Sequence, residues 1–274
     1  MGLFLLSRQC YLLWIIVGFC YGLPALAVDE PAVIPKISVG VSDYDYYPFH
    51  GINNDNEFFG IAREILDAFA TWRGISFEYL PAPIERQFRD LVDGDIAMKY
   101  PDDEEWGRHV KGTTTIAYSD PVVPFIEGLL VRPSDKPHQV DDIKQFATML
   151  GFTLQDFWQE RVDNGKVKRI SVKHYDSLLL MALVGERIDG VYANVDVGLH
   201  RLQQIKLGKS DIPIPPRLQK EGTLVFAAEL PHVRSSYRLS SHTHPELIKD
   251  FNRFLVEQSD KIAELKHKYH LQAE

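Results

Sequence analysis

The sequence has little cysteine: two residues in 274, Cys10 and Cys20, both close to the N-terminus. Beyond residue 20 no disulfide can staple the fold and no cysteine-rich metal ribbon can form. An excess of basic charge is missing as well. The 30 Lys and Arg face 38 Asp and Glu, a net charge of −8, the reverse of the basic face that nucleic-acid readers carry. No nucleic-acid partner is expected. Short-period repeats, low-complexity tracts and an HExxH-type motif are absent, which removes solenoids, biased linkers and the zinc-protease pattern. After the first two dozen residues no apolar run approaches the ~20 residues of a membrane span. What is present is ordinary globular composition, 45% hydrophobic and 25% charged, enough for one large domain or two moderate ones.

Residues 1–27, MGLFLLSRQCYLLWIIVGFCYGLPALA, carry one Arg, no acid, and an apolar core from Tyr11 to Phe19. Pro24 precedes Ala25-Leu26-Ala27, which fits the small-x-small rule for signal peptidase, and Val28-Asp29-Glu30 turns polar. This predicts a secretory signal peptide cleaved after Ala27, and hence a periplasmic protein. A lipoprotein signal fits less well, because Phe19 rather than a small residue precedes Cys20. An uncleaved anchor is the remaining alternative. Cleavage leaves residues 28–274 without cysteine and, once Arg8 is gone, with 29 basic against 38 acidic side chains, a charge of −9. A secreted domain of this size buries enough core to stand without disulfides.

The remainder alternates strand and helix patterns. Lys36 to Val41 is a β-rich run that opens into the polar, aromatic loop Ser42–Asn56. Phe58 to Trp72 carries Ile61, Ile65, Leu66, Phe69 and Ala70 at helical spacing, with Gly74 as the stop. Ile75–Tyr79 reads as a strand, Ile84–Val92 as a helix closed by Gly94, and Asp95–Lys99 as a third strand. That β-α-β-α-β order predicts a parallel sheet covered by helices. It recurs as strand Phe146–Leu150, helix Leu154–Val162 with Thr153 at its N-cap, strand Val167–Val172, helix Ser177–Val184 and strand Asp189–Ala193. The Pro- and charge-rich stretch Arg132–Asp142 separates the two units. The chain returns through Thr223–Ala228 and ends in an amphipathic pattern, Pro245–Tyr269, with Leu247, Phe251, Phe254, Leu255, Ile262 and Leu265 on one stripe.

Several segments in this order resemble a known family. Tyr46-Tyr47-Pro48-Phe49 follows the opening strand, and Leu91-Val92-Asp93-Gly94 closes a helix. Arg108 precedes Ala117-Tyr118-Ser119-Asp120-Pro121, and Gly185-Glu186-Arg187-Ile188-Asp189-Gly190 leads into a strand. These, with the closing helices from Pro245 to Tyr269, are similar to the periplasmic solute-binding proteins of the amino-acid type, extracellular solute-binding family 3. The resemblance implies the type II periplasmic-binding-protein fold: α/β, two lobes of sheet flanked by helices, joined by a two-strand hinge. Lobe one would take residues 28–128 and 225–274, and lobe two 129–224. A small polar ligand would sit in the cleft and be buried by lobe closure. A monomer without cofactor is expected, working with the permease of an ABC transporter or with a membrane sensor.

The resemblance also nominates a site. Arg108 matches the arginine that grips a ligand carboxylate with its two-pronged guanidinium, although the segment from it to Tyr118 is longer than the family's. Thr153, capping a second-lobe helix, would offer its hydroxyl and free N–H groups to an anion. Tyr46 matches the stacking aromatic, in a loop with three tyrosines among residues 42–48, and Trp106 is a candidate second wall. Lys99 lies at the carboxyl end of a strand, where α/β sheets bind ligands, and Asp102 is a candidate for a cationic ligand group. Asn194 stands where amino-acid binders place an acid for the α-ammonium. An amide dipole loses that Coulomb attraction, so a less common ligand is expected, anionic or neutral and polar, unless Asp196 substitutes.

The histidines His242, His244, His267 and His270 lack cysteine or motif context and are expected at the surface rather than on a metal. A non-catalytic binder is the leading reading. The alternatives are an enzyme on the same fold, of the cyclohexadienyl-dehydratase type with Asp102, Glu104 and His109 as its local acids and bases, and a ligand-sensing module acting in trans.

Overall fold

A computed structural model of the chain describes residues 35–53, 55–133, 139–185 and 188–271. The expected signal segment 1–27 lies outside them, as do Glu186 and Arg187 of the Gly185–Gly190 motif. In chain order, β1 (Lys36–Ser42) is followed by the short β2 (Gly51–Ile52) and β3 (Phe58–Phe59), then α1 (Ile61–Arg73), β4 (Ser76–Ala82), α2 (Ile84–Asp93), β5 (Met98–Asp102), α3 (Arg108–Lys111) and β6 (Ala117–Tyr118). The long β7 (Val123–Val131) leads to β8 (Gln145–Met149), α4 (Asp156–Asp163), β9 (Lys168–Val172), α5 (Tyr175–Val184), β10 (Gly190–Asn194), α6 (Val195–Lys206), α7 (Pro216–Glu221) and β11 (Val225–Phe226). β12 (Val233–Ser241) returns the chain to α8 (Pro245–Glu257) and α9 (Ser259–Lys268).

The sheet runs β4-β1-β5-β12-β7-β10-β8-β9. Its two flanks are parallel, β4-β1-β5 and β10-β8-β9, as βαβ crossovers require. Its centre is antiparallel: β12 pairs with both β5 and β7, and β7 with β10. β12 changes partner midway, with Val233–Tyr237 lying on β7 and Arg238 to Ser241 on β5 and β6. β7 likewise pairs with β12 through Val123–Glu127 and with β10 and β11 beyond it. The two central strands therefore join two α/β halves, which is a two-lobe fold with a two-strand hinge.

Local chemistry explains most element ends. α1 buries Ile61, Ala62, Ile65, Leu66, Phe69 and Ala70 on one face, and Gly74 stops it in the left-handed conformation. It starts three residues later than expected because Phe58–Phe59 pairs with β2 instead. Gly60, at φ +98°, makes the corner; a Cβ there would come within 2.7 Å of the Phe49 carbonyl oxygen. The single closing amphipathic run divides into α8 and α9 at Gln258, whose φ and ψ leave the helical region. Both helices keep the expected stripe, with Leu247, Phe251, Phe254, Ile262 and Leu265 buried.

Two differences alter the site. The third strand is not Asp95–Lys99 but β5, Met98–Asp102, buried throughout, so Asp102 lies in the sheet rather than in a loop beyond it. The second-lobe helix is α4 from Asp156, with Gln155 at its N-cap and no side-chain cap. Thr153 is therefore two residues upstream of the cap position and does not cap it. Among the described residues no helix is long and apolar enough to cross a membrane, and no cluster of three or more His, Cys, Asp or Glu is placed to hold a metal ion.

Candidate functional site

A cavity lies where the loops after β1 and β5 face the turn after β8, with the hinge strands beneath. About 430 Å³ lies between its walls, but the centre of a water-sized sphere has only about 40 Å³ in which to move, so the halves are close together. Aromatic walls come from Tyr44 and Tyr46 on the first loop, Trp106 beyond β5, Phe152 in the other half and Tyr237 on β12. The polar lining includes Ser42, His50, Lys99, Glu127 and Thr153. The halves touch directly here. The Gly107 N–H donates to Thr153 Oγ1 at 3.3 Å, and the Tyr46 ring lies 6.3 Å from Phe152 and 6.0 Å from Tyr175. Farther out, Arg201 Nη1 reaches Asp45 at 3.6 Å.

Tyr46, 3% exposed, is held by ring contacts on several sides, stacking on His50 at 5.1 Å and meeting Tyr44 edge-on at 5.5 Å. Its hydroxyl has no hydrogen-bond partner among the described residues. Trp106 packs edge to face on Tyr237 at 5.8 Å. Asp103 fixes the turn that carries it, accepting the Glu105 N–H at 2.9 Å and the Ser235 hydroxyl at 2.8 Å. The next residue, Gly107, sits at φ +61°, and a Cβ there would come within 2.6 Å of Phe88, so the turn is closed to any side chain.

Lys99 is almost fully buried and its ammonium donates to the Pro101 carbonyl at 2.5 Å. Burial pulls its pKa down to about 8, against the opposing pull of Asp102. The Phe88 ring covers the ammonium at 4.7 Å. Asp102 is wholly enclosed and fully engaged. Its Oδ1 takes Lys111 Nζ at 3.1 Å and the Asp103 N–H at 2.8 Å, with Lys99 Nζ at 3.8 Å, and its Oδ2 takes the Ser240 hydroxyl at 2.6 Å. Two lysines thus share the Asp102 carboxylate in one buried group under the cavity, and Lys111 Nζ also donates to the Asp103 carbonyl at 2.8 Å.

Of the seven residues nominated from sequence, Tyr46, Lys99, Trp106 and Thr153 line the cavity, whereas Asp102, Arg108 and Asn194 do not. The Arg108 side chain is half exposed and pairs with Glu105 and, across the halves, with Asp156 at 3.7 Å. Asn194 is buried at the hinge. Its Oδ1 caps α6 by accepting the Val197 N–H at 3.1 Å, and its Nδ2 donates to the Tyr237 hydroxyl at 3.0 Å, so both amide atoms are occupied within the protein. Asp196 is exposed.

The residue that sequence reasoning missed is Glu127. It sits in the hinge strand β7, two residues after Phe125 on the same face, and is 2% exposed. Its Oε1 has no hydrogen-bond partner among the described residues. Burial, helped by the negative charge of Asp103, pushes its pKa up to about 8. Its signal was an ionisable residue inside the apolar run Phe125-Ile126-Glu127-Gly128-Leu129-Leu130-Val131. His50 was missed too. It is 1% exposed, its Nδ1 is unpartnered, and burial pushes its pKa down to about 3.

No protein-family model matches the chain and no curated protein matches it. Solved structures do. The amino acid ABC transporter substrate-binding protein AbpA from Streptococcus pneumoniae, bound to L-arginine, is 16% identical over 87% of this chain and 97% of its own, with a TM-score of 0.62. A histidine kinase sensor domain with similarity to periplasmic binding proteins matches at 16% identity over 86% and 96%, TM-score 0.67. The ancestral amino-acid-binding protein AncCDT-1, a precursor of cyclohexadienyl dehydratase, matches at 18% over 86% and 96%, TM-score 0.62. The resemblance read from the sequence is thus met in three dimensions: the chain has the two-lobe fold of the amino-acid-binding periplasmic proteins.

Proposed function

We propose that the protein is a solute-binding protein of the amino-acid type, which captures a small polar solute by closure of its two lobes and presents it to a membrane permease or sensor. The observation that carries this reading is the cavity itself. Aromatic walls and unpartnered polar atoms of Glu127, Tyr46 and His50 converge at the junction of two halves linked by two strands, which is the arrangement a hinge-closing binder needs. Solute-binding and sensor proteins of the same fold support it. The lobes would be 28–128 with 225–274, and 129–224. A monomeric, periplasmic protein released after Ala27, without cofactor or nucleic-acid partner, completes the proposal. A thermal-shift screen of the mature protein against amino acids, organic acids and amines tests it. Stabilisation by at least one solute is expected, and stabilisation by none would count against capture.

A second reading has one observation in its favour. Glu127 holds a proton at neutral pH in an enclosed cleft, as a general acid must, whereas Asp102 is locked in ion pairs and His109 is exposed against Glu85 at 3.2 Å. Turnover of prephenate or arogenate by the pure protein, lost in Glu127→Gln, would establish an enzyme instead.

A further inference from the structure

A charge inventory of the cleft separates the groups that are satisfied from those that are not. Among the described residues lining the cavity, Lys99 is the one Lys or Arg. Its ammonium is already engaged by the Pro101 carbonyl and by Asp102, which it shares with Lys111. Arg108 points outward to Glu105 and Asp156, and His50 is neutral. The three features that favoured an anion in the sequence are therefore engaged or displaced: Lys99 is paired, Arg108 is outside, and α4 begins beyond Thr153.

The unmet groups favour the opposite sign. Glu127 Oε1, Tyr46 Oη and His50 Nδ1 are all buried, unpartnered and in the cavity wall, and once ionised the Glu127 carboxylate can only accept hydrogen bonds. The space also continues outward past Trp106, Glu127 and Thr153 into a chamber that adds Asp103, Glu105 and Asp156 to its lining, the latter two sharing Arg108, with Arg234 as the one basic residue among the described residues that line it. An approach in which acidic side chains outnumber basic ones favours cations. Aromatic faces beside a buried carboxylate suit the apolar body of an organic cation.

Building on the solute-capture reading, we propose that the cleft takes a small organic nitrogen cation that lacks a carboxylate. Its ammonium sits against Glu127, and its carbon frame lies among Tyr44, Tyr46, Trp106 and Tyr237. A zwitterionic α-amino acid fits less well, because the described cavity offers its carboxylate no uncommitted cation. Alkylammonium and methylated ammonium ions share this chemistry, and the test separates them.

Choline, putrescine and agmatine are titrated into the full-length processed protein, alongside arginine, glutamine and succinate, by thermal shift and calorimetry. At least one of the three carboxylate-free cations is expected to bind. Choline alone points to a methylated ammonium, putrescine or agmatine to N–H donors. Affinity is expected to fall about ten- to a hundredfold in Glu127→Gln, as for a lost charged hydrogen bond, and less in Glu127→Asp, which keeps the charge. Binding of arginine, glutamine or succinate with no response to the cations would overturn the cation assignment and leave solute capture standing. Equal cation affinity in wild type and a folded Glu127→Gln would overturn the role of Glu127. No binding by any of the six would count against both.

Discussion

Glu127 should make the ligand-free protein lose stability as pH rises, and the size of that loss can be worked out. Its carboxyl moves from an ordinary 4.5 to about 8 on folding because the ionised form is desolvated. Between those values the folded chain holds a proton that the unfolded chain has released, so stability falls with increasing pH. At 1.36 kcal/mol per unit the whole loss is on the order of 5 kcal/mol, complete above pH 8. The perturbation is Glu127→Gln, which keeps the shape and cannot ionise. Urea denaturation of both proteins, followed by tryptophan fluorescence from pH 5 to pH 9, gives the difference directly. Other groups facing Glu127 also titrate or carry charge: Asp103 beyond β5, Tyr44 and Tyr46 on the first loop, Tyr175 on α5, Tyr192 on β10 and Tyr237 on β12, with His50 in the same cavity. They, like Lys99, are common to both proteins, so the difference isolates position 127. The variant should match wild type near pH 5 and exceed it increasingly up to pH 8. Parallel stability curves would refute the argument, because they would mean that Glu127 is solvated or paired.

Three further outcomes follow from the contacts. Asp102→Ala strands Lys99 and Lys111 as buried cations and should cost about 3–5 kcal/mol in urea denaturation. Asn194→Ala removes the α6 cap and the bond to Tyr237 and should cost about 2 kcal/mol, with Asn194→Asp recovering part through the restored cap. Arg108→Ala breaks only exposed ion pairs, worth at most about 1 kcal/mol. Solute affinity measured by calorimetry should then change by less than about fivefold.

The α/β alternation was legible because its signals are local. Helical spacing in α1 and α8 and the β-rich run of β1 follow from which face each element buries. The two-strand hinge came from the family resemblance, but its strands were not legible in the residues themselves. β7 and β12 change partners midway, so their burial follows two different neighbours rather than one alternating face. Arg108 and Asn194 show the limit of motif matching: each occupies the expected place in the chain, yet one points outward and the other is spent on a cap and a tyrosine. Thr153 reached the cavity wall without being the cap it was expected to be. Glu127 could have been flagged as an acid in an apolar run, but only strand pairing reveals that it faces an enclosed cavity. The expected anionic or neutral ligand rested on Asn194 in place of an acid and on Lys99, Arg108 and Thr153 near the cleft; the structure engages Lys99, turns Arg108 outward and starts α4 beyond Thr153.

The most direct test of the account is calorimetric titration of the wild-type protein with the strongest-binding cation of the panel, repeated across pH and in buffers of different ionisation enthalpy. A carboxyl near pH 8 is only about one-tenth ionised at pH 7, and a cation needs the ionised form. Affinity should therefore rise about tenfold from pH 6 to pH 7, about fivefold from pH 7 to pH 8, and then level off, with about one proton released per cation bound at pH 7. A flat pH profile with no proton released would contradict the claim that Glu127 is where the solute is held.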